Sequence, residues 1–373
     1  MSTINVTNLK HGSSSTNSIV FSSDGTCDVK ASNISGQKNL IINGSMQVAQ
    51  RGTSSTSSGY QTLDRWQVGF SGHNEAPTQS QHALTSSDTG PWEKGFRKSL
   101  HIQNGNQTST DASDYCEIVQ TIEAQNMANS GWNYNSTSNY VTLSFWVKSS
   151  VAQNFYGFFM SRDGTNRMYP FETGSLSADT WTKVTKSVPG ATNIQFDDDN
   201  GQGLTVEILP FYGTTYTNDS TSLNTWANWD GNAATPDNTS TWWTTDNATF
   251  EITGVQLELG DTATTFEHRS YGDELAKCQR YYLKDTDTVQ GGSYIKATTD
   301  LDNVGGINVR FPVTMRADPA LTLLGTTYRT GGHTDAQSSF KNGFIWGRKT
   351  YGNNSDTSCM AYATGGFECN AEI

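Results

Sequence analysis

Four tryptophans, Trp226, Trp229, Trp242 and Trp243, are the residues best suited to hold a ligand, set in the polar stretch from Ser222 to Phe250. Aromatic faces accept the C–H surfaces of sugars, and nearby Asn, Asp and Thr side chains can bond sugar hydroxyls. The competing reading is that these rings plug a long loop onto the body of the fold or onto an adjacent subunit. Trp146 carries the same ambiguity, because it sits on the polar side of an otherwise amphipathic run.

No other constellation makes a case for chemistry. His11, His73, His82, His101, His268 and His333 stand apart, without H-E-x-x-H or H-x-H spacing. The G-x-S-x-G, P-loop and G-x-G-x-x-G patterns are absent. Asp197-Asp198-Asp199-Asn200-Gly201 resembles the start of a calcium loop but lacks the acidic fifth residue, the sixth-position Gly and the distal Glu. A turn is the simpler reading, so no cofactor is expected and structural calcium is not indicated. The paired carboxylates of a glycosidase come from distant strands and leave no sequence signature. No catalytic residue is assigned, and the chain is expected not to be an enzyme.

Any such residues must be carried by strands. Val141, Leu143, Phe145 and Val147 alternate with Thr142, Ser144, Trp146 and Lys148, the period-2 pattern of a half-buried strand. Leu204, Val206 and Ile208 alternate with Thr205 and Glu207 in the same way. The acidic turn at 197–201 is expected to join that strand to one at Ile194-Gln195-Phe196. Leu40-Ile41-Ile42 reads as a buried strand closed by Asn43-Gly44. Between Phe250 and Leu259 the apolar parity switches from even positions (Phe250, Ile252) to odd ones (Val255, Leu257, Leu259). One extra residue turns side chains to the opposite face, so a β-bulge is expected at Thr253-Gly254. A single short helix fits Ser270–Tyr282, where Leu275, Cys278 and Tyr282 share a face, with Asp273 and Glu274 at its start. Ile307, Val309, Phe311 and Val313 alternate in a later strand, which Pro312 places at an edge or ends.

The 373 residues suggest two or three domains. Only 34% are hydrophobic and 16% charged, yet 10 Trp, 15 Tyr and 16 Phe can build cores, so the chain should fold. Abundant Ser, Thr and Asn disfavour helices, which points to an all-β fold. The expected architecture is a β-sandwich with long loops over 39–283, followed by a smaller β-domain over 284–373. Residues 1–38 hold too little apolar material for a core and read as a frayed end or an arm that orders against copies of itself or a docking partner. Within that arm, Ile19-Val20-Phe21 ahead of Asp24-Gly25 could form a small hairpin.

A net charge of −12 without a Lys/Arg cluster argues against nucleic acid and against an anionic membrane surface. Five scattered cysteines suggest neither a disulfide framework nor a zinc site, and assembly in a reducing cytosol fits best. No secretion signal is visible at Met1, and no run reaches the ~20 apolar residues that span a bilayer, so membrane insertion is not expected.

Asn39-Leu40-Ile41-Ile42-Asn43-Gly44, then Gln50-Arg51-Gly52 and Leu63-Asp64-Arg65-Trp66, resemble the opening of a module common in phage tail-fibre and virion structural proteins. Its closing segments are similar to Val255–Gly260 and to Phe266-Glu267-His268-Arg269 through Cys278-Gln279-Arg280-Tyr281-Tyr282. The resemblance implies a jelly-roll sandwich like that of carbohydrate-binding modules, with no catalytic residue and no assigned binding residue. It also implies a homotrimeric tail fibre or appendage of a virion assembled in the host bacterial cytoplasm. Residues 1–38 would then dock to other virion proteins, and a host-surface glycan would be the target. A capsid-decorating or head-fibre protein is the alternative, and a tailspike depolymerase a more remote one. Arg65, Trp66, Glu267 and Arg269 stand in the shared motifs and are expected to be architectural, because an arginine near a core needs a carboxylate partner.

Overall fold

A computed structural model of the chain describes residues 38–238, 241–292, 303–329, 334–350 and 360–373, with three short strands before them. Those strands are β1 (Asn8–Leu9), β2 (Ile19–Phe21) and β3 (Cys27–Val29). β2 pairs antiparallel with both others, Phe21 opposite Cys27, so the expected hairpin forms. Its Asp24-Gly25 turn and most of the expected arm lie outside the described residues.

The sandwich is built from β4 (Ser54–Ser55), β5 (Gln67–Ser71), β6 (Thr78–Ala83), β7 (Lys98–Gln103), β8 (Tyr115–Glu123) and β9 (Tyr140–Ser149). It continues with β10 (Asn154–Ser161), β11 (Arg167–Ser175), β12 (Thr182–Pro189), β13 (Gln202–Tyr212), β14 (Ala227–Asn228) and β15 (Thr249–Leu259). They form two six-stranded sheets, β14-β11-β10-β13-β8-β5 and β12-β9-β15-β7-β6-β4. The protein is an all-β jelly-roll sandwich followed by smaller sheets. Val141, Leu143, Phe145 and Val147 of β9 are fully buried between the sheets, with Leu204, Val206 and Ile208 of β13 in the same core.

The bulge in β15 falls at the expected place. The register with β9 shifts between Thr253 and Gln256, and Gly254 takes a φ of 63°. Phe250 and Ile252 before the shift and Val255 and Leu257 after it are all fully buried, while Leu259 is exposed at the strand end. Each buried side chain of this size stabilises the fold by about 1.5–3 kcal/mol, so the slip keeps two more of them inside. Gly254 is required twice over, because a Cβ there would lie 2.6 Å from the Phe96 ring. The backbone groups freed at Val255 are taken from outside the sheet. Its N–H donates to the Gly44 carbonyl at 2.9 Å, and its carbonyl accepts from Asn39 Nδ2 at 3.0 Å.

That arrangement overturns the expected strand at Leu40–Ile42. Leu40 alone reaches a strand, its N–H donating to the Leu257 carbonyl of β15 at 2.9 Å, after which the chain bends and Ile41 and Ile42 bond side chains instead. Ile41 N–H donates to Asn39 Oδ1, and Gln120 closes both polar groups of Ile42, accepting at 2.8 Å and donating at 2.9 Å. Ile194–Phe196 is likewise not a strand. Ile194 and Phe196 are buried as a plug beside Trp132 and Tyr134. The turn after it is real, with Gly201 N–H donating to Asp199 Oδ1 at 2.8 Å.

Helix α1 (Ala124–Ala128) was not expected; five residues are too few to show a period, although Ala124 and Met127 are buried. Helix α2 (Tyr271–Gln279) is the expected one. Ser270 caps it by accepting from Asp273 N–H, while Tyr282 already belongs to the next strand. After it come β16 (Tyr282–Asp285), β17 (Val289–Gly292), β18 (Asn303–Arg310), β19 (Ala320–Leu323), β20 (Thr327–Arg329), β21 (Thr334–Phe340), β22 (Gly343–Thr350), β23 (Met360–Ala363) and β24 (Phe367–Asn370). They form three three-stranded sheets, with β18 at an edge and ending before Pro312. Phe311, Met315, Phe344, Phe367 and Cys369 make a small core of their own.

The residues carrying the family resemblance assemble into one buried polar network. Glu267 accepts from Lys38 N–H at 3.2 Å and Asn39 N–H at 2.7 Å, and it pairs with Arg269 at 3.0 Å. Arg269 also donates to Ile41 O at 3.1 Å and pairs with Glu274, which accepts from Asn43 N–H. Trp66 Nε1 donates to Asn43 O at 3.0 Å. Arg65, only 1% exposed, pairs with Glu372 and lies 3.5 Å above the Tyr281 ring. The carboxylate partner that the arginine needs thus comes from beyond the sandwich. Arg51 binds the same Glu372 at 3.2 Å and covers Tyr282 at 3.6 Å.

Candidate functional site

Alternation places two sets of side chains on each strand, and the outward set on the β14-β11-β10-β13-β8-β5 sheet is unusual. On β8, Cys116 and Ile118 enter the core, so Tyr115 and Glu117 face out. On β10, Phe155 and Phe159 enter the core, leaving Tyr156, Phe158 and Met160 outside. A register shift on β13 between Ile208 and Phe211 brings both Leu209 and Tyr212 to this side.

The loop over 213–238 folds back across these residues. Gly213 N–H donates to Asp114 O at 2.9 Å, Ala234 N–H to Tyr216 O at 2.9 Å and Trp229 N–H to Asn166 O at 3.0 Å. Its rings join the patch. Trp229 lies 5.5 Å from Phe158, and Tyr216 lies 5.9 Å from Tyr115 and 5.3 Å from Tyr212. Phe158, Met160 and Leu209 are covered, while Tyr115, Tyr156, Tyr216 and Trp229 stay half-exposed. Around Tyr156 stand Asn154, Glu172, Asp219 and Asp237. Burial and then those three carboxylates push the Tyr156 hydroxyl above its ordinary range, against the Asn154 hydrogen bond. The surface therefore offers flat rings bordered by amide, phenol and carboxylate groups.

Beneath the rings lies a buried acid pair. The Tyr212 hydroxyl donates to Glu117 and lies 3.4 Å from Glu207, which pairs with Arg162 at 3.2 Å. Burial, followed by the charge of Glu117, pushes the Glu207 carboxyl up to about 8. Burial also raises Glu117. One phenol proton cannot serve both acids, so the two carboxyls resist ionising together.

The four tryptophans separate. Trp229 belongs to the patch. Trp226 is half-buried elsewhere, beside Tyr169 at 5.4 Å and donating from Nε1 to Pro189 O at 2.7 Å. Trp242 and Trp243 are fully buried in the core, so the expectation that they contact a ligand is corrected: neither ring has a free face. Trp243 stacks on Phe211 at 5.3 Å, while Asn104 Nδ2 donates to its carbonyl at 2.6 Å. Trp146 is half-buried, its ring lying over Gly90, where a Cβ would meet it at 2.7 Å. Tyr115, Tyr156 and Tyr216 were not singled out from the sequence, and only the outward parity of Tyr115 and Tyr156 on their strands could have pointed to them. Among the described residues no group of His, Cys, Asp or Glu could hold a metal ion, and no helix is long and apolar enough to cross a membrane.

No family model matches the chain, and no curated protein matches it. Several solved structures are similar to part of it. The enzymatically active domain of tailspike protein 4 from bacteriophage CBA120 is 11% identical, with a TM-score of 0.33, over 61% of this chain and 22% of that one. The chain thus spans about a fifth of that tailspike. The N-terminal cellulose-binding domain of Cellulomonas fimi β-1,4-glucanase C is 10% identical, with a TM-score of 0.27, over 58% of this chain and 99% of its own. The family 11 carbohydrate-binding module of Clostridium thermocellum, in complex with a β-1,3-1,4-mixed-linked tetrasaccharide, is 11% identical, with a TM-score of 0.24, over 58% and 98%.

Proposed function

We propose that this chain is a carbohydrate-recognising structural protein of a bacteriophage virion, a tail fibre or appendage that attaches to host-surface glycan. The observation carrying the glycan reading is the half-exposed set Tyr115, Tyr156, Tyr216 and Trp229 on one sheet face, bordered by Asn154, Glu172, Asp219 and Asp237. Pyranose rings present flat C–H faces to such rings, and their hydroxyls match the bordering acceptors. The virion reading rests on the tail-fibre motifs, whose residues form one interlocked network from Asn39 to Glu372. In that setting residues 1–38 dock to other virion proteins and the assembly is a homotrimer.

The chain is proposed to act without catalysis. A glycosidase pair must leave room for a sugar atom between its carboxylates, whereas the Tyr212 hydroxyl reaches both Glu117 and Glu207.

Glycan-array binding of the full-length protein, compared with a Tyr156→Ala/Tyr216→Ala variant, tests this reading. Binding to a defined glycan set, weakened about tenfold or more in the variant, is the expected result; that loss corresponds to about 1.4 kcal/mol. Equal binding by both proteins would move the site off this face. No glycan binding by a protein that nonetheless incorporates into virions would leave it an architectural decoration. Light scattering should give three times the chain mass, and a monomer would remove the homotrimer.

A further inference from the structure

A second site lies away from the aromatic face. Helix α1, helix α2 and the segment Asn39–Ile42 line an open cleft of about 680 Å³. That volume falls within the roughly 300–1,000 Å³ typical of small-molecule sites. Leu40, Ile42 and Tyr281 supply apolar wall and Asn126 a carboxamide, while Asn129, whose Nδ2 donates to Gln125 O at 2.9 Å and Asp198 Oδ1 at 2.7 Å, offers its oxygen. Three cations reach it, in a chain whose net charge is −12.

The cations are not equivalent. Arg280 is held by both oxygens of Glu123, each at 2.7 Å. Arg269 is held by Glu267 and Glu274. The Lys277 side chain is half-buried and makes no ion pair or hydrogen bond among the described residues. Burial and then the nearby charge of Arg269 push its ammonium below the ordinary range, more than Glu274 and its neighbours raise it. An anion placed beside Lys277 would relieve that repulsion, and carboxamides would bond hydroxyls next to it.

We propose that this cleft binds the carboxylate of an acidic sugar residue, a uronic acid, with Lys277 as its charge partner and Asn126 and Asn129 on its hydroxyls. The class follows from the lining, because a bare anion leaves the carboxamide oxygens without a donor and a neutral sugar leaves the lysine without a charge partner. The site stands independently of the aromatic face.

Calorimetric titration of the full chain with digalacturonate is the test, using neutral galactobiose, citrate and a tetraglutamate peptide as further probes. Digalacturonate should bind and should weaken as salt rises. Lys277→Gln should lose tenfold or more with an unchanged melting temperature, while Lys277→Arg retains binding. Galactobiose should not saturate, and neither citrate nor tetraglutamate should displace the disaccharide. The Tyr156→Ala/Tyr216→Ala variant should bind it as the parent does, so failure of the aromatic-face reading leaves this result standing. Absent binding, equal binding by Lys277→Gln, or equal binding of galactobiose would overturn the proposal. Displacement by citrate would reduce the cleft to a general anion site, and displacement by tetraglutamate would make the ligand a protein side chain; either overturns the sugar.

Discussion

The outer faces of the two sandwich sheets are made by the same alternation, yet their acids behave in opposite ways. On the β12-β9-β15-β7-β6-β4 sheet, Glu251 accepts from Lys148 at 2.9 Å and from Ser99 at 2.7 Å, with His82 at 3.2 Å. Lys148 also pairs with Asp88 at 3.2 Å. Burial opposes ionisation of Glu251, but the lysine, Ser99 and His82 outweigh it and hold the carboxyl below its ordinary range. On the opposite sheet Glu207 has a longer cationic contact, at 3.2 Å, and another carboxylate beside it, and it is pushed up to about 8. Burial alone therefore does not decide charge; the nearest partner does. One face is closed by internal ion pairs, while the other leaves four rings half-exposed.

Breaking the closed face should cost most. Lys148→Met leaves Glu251, 3% exposed, without its cation. Losing one partner of a buried pair is expected to destabilise by about 3 kcal/mol, measured by urea unfolding at pH 7. A loss under about 1 kcal/mol would mark the cluster as a screened surface pair instead.

Because burial and the charge of Glu117 raise the Glu207 carboxyl to about 8, Glu207→Gln should cost little at neutral pH and should act on the alkaline side. The folded value lies above the ordinary 4.5, so the group's contribution is full below that value and is lost as pH rises through about 8. Between pH 7 and 9 the parent should therefore lose on the order of 1 kcal/mol more than the variant. That window lies above Asp64, which burial pushes up to about 6 and which would otherwise add a slope of the same sign. Parallel curves for the two proteins would mean that Glu207 is ionised in the fold.

Local patterns told most about the strands and least about the surfaces. The β15 bulge was readable because a parity switch and a glycine lie within a few residues, and α2 because its shared face and its charges fall within three turns of sequence. Leu40–Ile42 misled because the groups that close its backbone, above all Gln120, lie far along the chain. Trp242 and Trp243 misled for a related reason: their neighbours in sequence are polar, but their neighbours in space are Phe211 and Phe250. The aromatic face was invisible because Tyr115, Tyr156 and Tyr216 come from two strands and a loop. Only the sheet order and the fold-back of the loop over 213–238 bring them together. Arg65 shows the intermediate case, where the need for a carboxylate was legible but its identity as Glu372 was not.

The smallest effect is expected at the rim of the closed face, and it separates packing from charge. Trp181 Nε1 donates to Asp88 Oδ1 at 3.0 Å, and Lys148 Nζ lies 4.9 Å from the centre of the Trp181 ring. Burial opposes the charge of Asp88, yet bonds from Trp181, Thr85 and Lys148 prevail and bring the carboxyl to about 2. Trp181→Phe keeps a ring near Lys148 and removes the donor. Asp88 retains Thr85 and Lys148, so the cost at pH 7 should be about 0.5–1 kcal/mol. Because the folded value is depressed, this stability is present above the ordinary 3.8 and disappears as pH falls through about 2. The difference between parent and variant should therefore shrink from pH 5 to pH 2 in thermal melts. A difference that stays constant down to pH 2 would mean that Trp181 acts by packing alone, and the contrast between the two faces would then rest on Lys148 and Glu251.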